Sequence, residues 1–231
     1  METEFIYWRH DTSVGVCVEE LSGGEDKSPK IWKVMALQVF GEQGGDRYRE
    51  IGHYPSGAPY LEDSQQRISV SHTPRFMVVA SLPRTPEADL SQFSQRTAMG
   101  IDVEKPDREQ ALRVADRVMT HAELQLCEEY ASALPLDAEE ARVRATVLAW
   151  TVKEALYKAA LQEGLDFREC LVIRRLPEIC DSPLAASPRY GEAEIRRDGV
   201  PPIPMRLFSY LSEGHIVTIA LAAKCATFKK H

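Results

Sequence analysis

The sequence lacks any run of about eighteen apolar residues, the length that a membrane-spanning helix needs, so we expect no membrane span. Its first residues carry acids and show no basic segment ahead of an apolar one, which argues against a secretory signal peptide. The five cysteines are odd in number and form no C-x-x-C pair, so neither a zinc centre nor a disulfide framework is indicated. These absences predict a reduced, cytoplasmic protein.

An excess of basic residues is also missing. The chain has 28 Lys and Arg against 35 Asp and Glu, a net charge of −7. A general nucleic-acid binder needs a basic face, so we expect no nucleic acid as partner. A local basic pocket for an anionic ligand stays open. With 231 residues and 44% hydrophobic residues, the chain is large enough for one sizeable domain or two small halves sharing a core.

Apolar periodicity predicts a mixture of strands and helices. The predicted strands cover residues 5–8, 14–18, 67–72, 76–80, 99–104, 170–174, 192–196, 205–211 and 216–222. Helical spacing predicts a helix over 30–40, another from near Arg108 towards Tyr130, and a long third helix over 137–161. Asp137 is suited to cap the start of the third helix, and Gly164 is suited to end it.

A Pro- and Ser-rich stretch over 83–96 is typical of a linker and predicts two halves, 1–96 and 97–231. Both halves contain a strand, a helix and a closing pair of β segments. The strand–turn–strand pattern over 69–80 resembles that over 208–222. We therefore expect an α+β fold of two related halves, each a small antiparallel sheet packed on helices.

Two carboxylates stand out in the predicted strand 99–104. Asp102 and Glu104 are two residues apart, so their side chains point to the same face of a strand. Like charges so close repel each other unless a cation or a hydrogen-bond donor lies between them. Mg²⁺ is commonly held by one or two carboxylates together with phosphate oxygens. The motif alone leaves open a metal site and two solvated acids on an exposed strand.

The long predicted helix carries a second charged motif, Trp-Thr-Val-Lys-Glu-Ala-Leu-Tyr-Lys over 150–158. Glu154 and Lys158 are four residues apart and share one helix face, where an ordinary ion pair is the simplest interpretation. Apolar neighbours such as Trp150 and Leu156 favour a partly desolvated pair. A third motif, Ser71-His72-Thr73, ends a predicted strand and leads into a turn, where a histidine is either exposed or a ligand.

In this order the three motifs resemble the 4'-phosphopantetheinyl transferase family. The family's signatures are a Ser-His-Ser-like strand end, Gly-(Ile/Val)-Asp-(Ile/Val)-Glu and Trp-(Ser/Thr)-x-Lys-Glu-(Ala/Ser)-x-x-Lys. This sequence reads VSHT over 70–73, GIDVE over 100–104 and WTVKEALYK over 150–158. The resemblance covers about 57–172. It implies the long, surfactin-synthetase-type branch, which folds as two pseudo-twofold halves and works as a monomer.

The resemblance implies a reaction and residues that carry it. The phosphopantetheine arm of coenzyme A passes to a serine of an apo acyl or peptidyl carrier protein, with Mg²⁺ and release of 3',5'-ADP. Asp102, Glu104 and Glu154 would hold Mg²⁺. Glu154 would also act as base for the serine hydroxyl, directly or through a metal-bound water. Lys158 would face the pyrophosphate and steady the charge on the departing nucleotide.

For coenzyme A, the resemblance implies that His72 contacts a phosphate, beside Ser71 and Lys158. Many members carry an arginine in the first-half helix for the 3'-phosphate, whereas this chain offers Lys30 and Lys33.

Two further departures concern the same ligand. The family's Gly-x-Pro has a basic residue at x, where this chain has Ala58, and its Gly-Lys-Gly-Leu is replaced by Gln-Glu-Gly-Leu with Glu163. These changes put the affinity for coenzyme A in doubt, whereas the metal and helix motifs are intact.

Carrier proteins are acidic, so a basic docking patch is expected. Arg108, Arg113 and Arg117 are candidates for it, although a solvated helix face explains them equally well. Two other functions remain open at this stage. One is a non-catalytic relative that binds coenzyme A or a carrier. The other is an unrelated Mg²⁺-dependent phosphohydrolase, for which no second acidic cluster is present.

Overall fold

The computed structural model describes residues 5–6, 14–20, 51–53, 57–61, 66–74, 76–81, 98–181 and 189–222. The described strands are β1 (Phe5–Ile6), β2 (Val14–Glu20), β3 (Ile51–His53), β4 (Pro59–Leu61), β5 (Gln66–His72), β6 (Phe76–Ser81), β7 (Met99–Glu104), β8 (Leu171–Arg175), β9 (Ile179–Cys180), β10 (Gly191–Arg197), β11 (Val200–Ser212) and β12 (His215–Ala222). The described helices are α1 (Gln110–Val118), α2 (His121–Ser132) and α3 (Ala138–Ala160).

The strands form two antiparallel sheets. The first has the order β1-β2-β6-β5-β4-β3, and the second has the order β7-β12-β11-β10-β8, with β9 added in parallel to β11. This mixed fold of antiparallel sheets and helices agrees with the predicted class. The predicted strand 99–104 is confirmed at both of its bounds.

The second sheet lies between α3 and the first sheet. Because side chains alternate along a strand, Met99, Ile101 and Val103 face one way and join a buried cluster with Val78 and Ala80 of β6. The alternate residues face the helix, as shown by the 2.8 Å hydrogen bond between the hydroxyls of Thr218 and Thr151. Asp102 pairs with Thr218 across β7 and β12 and therefore lies on the helix side.

Strand β7 and helix α3 approach so closely that their backbones touch at Gly100. A Cβ atom on Gly100 would lie 2.0 Å from the carbonyl oxygen of Ala155 and 2.7 Å from the amide nitrogen of Ala159. Only glycine fits there without moving the helix. This contact sets the distance between the acids of β7 and the side chains of α3.

Gly100→Ala should therefore destabilise the fold, because the methyl group meets backbone atoms rather than a flexible side chain. We expect the free energy of unfolding to fall by about 3 kcal/mol, the upper end for overpacking. Urea titration followed by circular dichroism measures it. Gly199→Ala is the control, since Gly199 has nothing within 4 Å of an added Cβ and only its positive φ resists the change. Equal losses in both variants would contradict the close-contact argument.

The prediction of one helix from near Arg108 towards Tyr130 is wrong. The chain forms α1 and α2, separated by Met119 in an extended conformation. Thr120 caps α2 in a capping box: its hydroxyl accepts from the Glu123 amide, and the Glu123 carboxylate accepts from the Thr120 amide at 2.8 Å. A new helix start thus interrupts an apolar periodicity that runs through both helices.

The long helix lies within one residue of its predicted bounds at each end. Asp137 caps α3 as predicted, accepting from the amides of Glu139 and Glu140. The helix ends at Ala160, and its C-cap is Leu161 in the left-handed conformation rather than Gly164. Strand β11 is longer than predicted, and strands β3, β4 and β9 were not predicted. The predicted helix 30–40 and the linker 83–96 lie outside the described residues. None of the described helices is long and apolar enough to cross a membrane.

Candidate active site

Asp102 lies where three elements meet. It is only 4% exposed, and its Oδ1 accepts hydrogen bonds from Ser71 Oγ of β5 at 2.6 Å and from Lys158 Nζ of α3 at 2.7 Å. The two donors hold the carboxylate in one orientation and partly offset the cost of burying its charge. One aspartate thereby connects both sheets and the long helix.

Ser69 makes a second connection between the sheets. Among the described strands, β7 is the edge of its sheet, so its outward amides have no neighbouring strand there. The amide of Ile101 donates instead to Ser69 Oγ at 3.0 Å. Ser69 and Ser71 are two apart on β5 and point the same way, so this strand supplies two hydroxyls to β7 in place of a backbone ladder.

Glu104 lies on the same face of β7 and is half-buried. Its carboxylate accepts from the guanidinium of Arg108 in an ion pair. Arg108 precedes α1 rather than lying within it. The loop after β7 therefore folds back so that its arginine neutralises the second strand acid.

Glu154 of α3 faces the strand acids. Burial raises the pKa of its carboxyl; the charges of Asp102 and Glu104 raise it further, whereas those of Lys158 and Arg108 lower it. The charges of Asp102, Glu104, Lys158 and Arg108 therefore all act on the Glu154 carboxyl. That residues 102, 104 and 154 meet around one divalent ion stays a prediction.

Whether this cluster suits Mg²⁺ can be judged from its donors. In the described part of the chain, no group of three or more His, Cys, Asp or Glu side chains is arranged to hold a metal ion. Two of the acids here are paired with basic side chains. Asp102 Oδ2, however, is buried and has no hydrogen-bond partner among the described residues. A hard cation would satisfy this oxygen and offset the repulsion that Glu154 experiences. Asp102 Oδ2 is thus the donor that suits Mg²⁺.

A cleft of about 240 Å³ opens beside Lys158. Its described lining combines α3 and the turn after it with residues of both β4 and β5: Gly57, Ala58, Pro59, Ile68, Ser69, Val70, Tyr157, Lys158, Leu161 and Gln162. Ser69, Lys158 and Gln162 bring polar side chains to the cleft, and Ile68, Val70 and Leu161 bring apolar ones. A lining of both kinds suits a ligand that has polar and apolar parts.

Residues 98–186 match the model of the 4'-phosphopantetheinyl transferase superfamily. The matched segment contains β7 and α3, and with them Asp102, Glu104, Glu154 and Lys158. The match indicates a transferase and supports phosphopantetheine transfer as the general chemistry. No curated protein matches the chain.

The transferase motifs suggested by the sequence come together only in part within the described residues. Ser71 is buried and donates to Asp102, so its hydroxyl contacts an acid of the site. His72 lies at the end of β5 and is exposed. Lys158 forms its ion pair across to Asp102. Lys30 and Lys33 lie outside the described residues.

A buried ion pair in the matched segment was not predicted from the sequence. Lys153 is 0% exposed, and its Nζ donates to Glu123 Oε1 at 2.7 Å and to the carbonyls of Phe167 and Leu171. Glu123 also accepts from the amide of Ile173. Burial lowers the pKa of Lys153, and Glu123 opposes that shift.

This pair holds α2, α3 and the start of β8 together, next to Glu154. The sequence feature that could have revealed this ion pair is a lysine within a helix face that is otherwise apolar.

Proposed function

We propose that this chain transfers the 4'-phosphopantetheine group of coenzyme A to a serine of an apo acyl or peptidyl carrier protein, with Mg²⁺, and releases 3',5'-ADP. The observation that carries the proposal is the ion pair of Lys158, which lines the cleft, with Asp102, whose charge also acts on Glu154. Phosphoryl-type transfer depends on positioning and charge neutralisation. Acids and a lysine in this arrangement suit that requirement.

The side chains have distinct tasks in this reaction. Glu154 takes the proton of the serine hydroxyl, because a half-buried carboxylate beside other acids is a better base than a solvated one. The serine oxygen forms a bond to phosphorus as the bond from phosphorus to 3',5'-ADP breaks. Lys158 neutralises charge on the departing nucleotide. Mg²⁺, when bound by Asp102, Glu104 and Glu154, would supply Lewis-acid stabilisation of the pyrophosphate.

Ser71 takes part indirectly, since its hydroxyl orients Asp102. We propose His72, together with Lys30 and Lys33, for the phosphates of coenzyme A, on the strength of the sequence resemblance. His72 is exposed at the end of β5, the strand that also lines the cleft. That position is compatible with a phosphate contact.

The carrier protein is proposed to dock on the basic face of α1. Arg113 and Arg117 are both exposed on that helix, and carrier proteins are acidic. We further propose a cytoplasmic monomer of the surfactin-synthetase-type branch, built from pseudo-twofold halves 1–96 and 97–231. Two six-stranded sheets support that division.

The proposal is tested by incubating the protein with coenzyme A, Mg²⁺ and apo carriers of fatty-acid, polyketide and peptide synthesis. We expect at least one carrier to gain the phosphopantetheine mass by intact-protein mass spectrometry. Chelation of the metal with EDTA should stop the gain, and added Mg²⁺ should restore it. No gain on any of these carriers would contradict the proposal.

One observation favours a second candidate, a non-catalytic relative that binds coenzyme A or a carrier. Both strand acids are already paired with basic side chains, Asp102 with Lys158 and Glu104 with Arg108, an arrangement that is stable without a metal. Saturable binding of coenzyme A in calorimetry, with no modification of any carrier, would favour this candidate.

A further inference from the structure

The hydroxyl of Ser69 makes one hydrogen bond as an acceptor and has a proton left to donate. Ser69 is only 4% exposed, and its Oγ accepts from the amide of Ile101 at 3.0 Å. A serine hydroxyl is an acceptor and a donor at once. Within the described part of the chain, no residue accepts the proton of Ser69. Because buried polar groups are normally satisfied, this unused donor calls for an acceptor.

The position of Ser69 allows a ligand to supply that acceptor, since Ser69 is one of the residues that line the cleft beside α3. The cleft measures about 240 Å³, less than the roughly 300 Å³ at which ordinary ligand pockets begin. A ligand group that fills so small a space touches each of its walls. Lys158 lines the same cleft, and its ammonium group, which has donors and no acceptor, favours a ligand group rich in oxygen.

The hydrogen bonds around Asp102 place Ser69 and Lys158 on the same side of β5. Ser71 is two residues from Ser69 and points the same way. Its hydroxyl donates to Asp102 Oδ1 at 2.6 Å, and the same oxygen accepts from Lys158 Nζ at 2.7 Å. The hydroxyl of Ser69 and the ammonium of Lys158 therefore both lie on the side of β5 that faces β7 and α3.

We propose that Ser69 is a further coenzyme A-binding residue, whose hydroxyl accepts from Ile101 and donates its proton to an oxygen of the ligand in the cleft. The sequence motifs single out Ser71 and His72 on this strand and pass over Ser69. The inference rests on the proposed function for the identity of the ligand. It holds for the transferase and for the non-catalytic candidate alike, because both bind coenzyme A.

Ser69→Ala should weaken the binding of coenzyme A about tenfold, because a hydrogen bond to an oxygen of a charged ligand is lost. Isothermal calorimetry with Mg²⁺ present measures the dissociation constant. Ser69→Thr keeps the hydroxyl and should bind within about threefold of the wild type. Ser69→Cys fills the space of serine with a weak donor, disturbs the fold less than alanine, and should also bind several-fold more weakly.

Urea titration of the free variants measures separately what the loss of the acceptor for Ile101 does to stability. A residue that only connects the two sheets would change the unfolding transition and leave the affinity for coenzyme A as it is. A dissociation constant within about twofold of the wild type in both Ser69→Ala and Ser69→Cys would therefore overturn the inference.

Ser209→Ala is the matched control. Ser209 is 0% exposed, shares a 2.8 Å hydrogen bond with the hydroxyl of Thr218, and is absent from the described lining of the cleft. The variant loses a buried serine hydroxyl as Ser69→Ala does, and it should bind coenzyme A like the wild type. An equal loss of affinity in both variants would assign the effect to a general loosening of the fold and overturn the inference.

Carrier modification, followed by mass spectrometry on the same proteins, separates this inference from the proposed function. If the wild type modifies a carrier and Ser69→Ala binds coenzyme A as tightly as the wild type, only the role of Ser69 is overturned. If no carrier is modified and Ser69→Ala still weakens binding, the transfer activity is overturned and Ser69 stands as a ligand contact. No binding of coenzyme A to the wild type would overturn both.

Discussion

Glu154→Gln should lower the rate of carrier modification by about a thousandfold, within the range of effects known for a lost general base. The amide has the shape of the carboxylate but cannot take a proton from the serine hydroxyl. It also removes one of the three negative charges at the site. The measurement is single-turnover transfer to a carrier, followed by mass spectrometry, with saturating coenzyme A and Mg²⁺.

Glu139→Gln is the control for this experiment, because Glu139 is an exposed glutamate in the first turn of the same helix. It should retain the wild-type rate, and both variants should show the wild-type circular dichroism spectrum. Asp102→Ala is a less selective test, since it also removes the acceptor of Ser71 and Lys158. A rate for Glu154→Gln within about threefold of wild type would remove the base assignment.

Lys153→Met should lower the free energy of unfolding by about 3–5 kcal/mol, the usual effect of removing one partner of a buried ion pair. Methionine fits the space, but Glu123 then keeps a buried charge without its cation. The carbonyls of Phe167 and Leu171 also lose their donor. Guanidinium titration followed by tryptophan fluorescence measures the loss.

Two further variants make this prediction specific. Lys105→Met is the control, since Lys105 is exposed, and it should change stability by less than about 0.5 kcal/mol. Adding Glu123→Gln to Lys153→Met should recover part of the loss, because the uncompensated charge disappears while the acceptor for Ile173 remains. Strictly additive losses in the double variant would show that the two side chains do not interact.

Local patterns predicted the elements that hold the candidate site. Strand 99–104 is defined by a short apolar alternation, and its period places Asp102 and Glu104 on one face whatever the strand packs against. The start of α3 is equally local, because Asp137 satisfies amides only two and three residues away. Interactions between residues so close in the chain need no knowledge of the fold.

Sequence periodicity failed where two local signals competed. The apolar pattern from Arg108 towards Tyr130 continues through Met119, but the capping box of Thr120 and Glu123 starts a new helix there. Glu123 is also held in that position by its ion pair with the buried Lys153, which lies thirty residues further along the chain. The break between α1 and α2 thus depends partly on a contact that no local window contains.

The sequence alone determined which side chains are candidates for the proposed chemistry: the strand acids, the Glu154–Lys158 helix motif, and the serine and histidine at 71 and 72. Only the tertiary structure decided their partners: that Lys158 binds Asp102, and that Ser71 donates to the same carboxylate. The physical reason is the distance along the chain over which each kind of interaction acts. Strand and helix periods involve residues a few positions apart. These contacts depend instead on how closely β7 packs on α3 at Gly100 and on how β5 lies along the edge of β7.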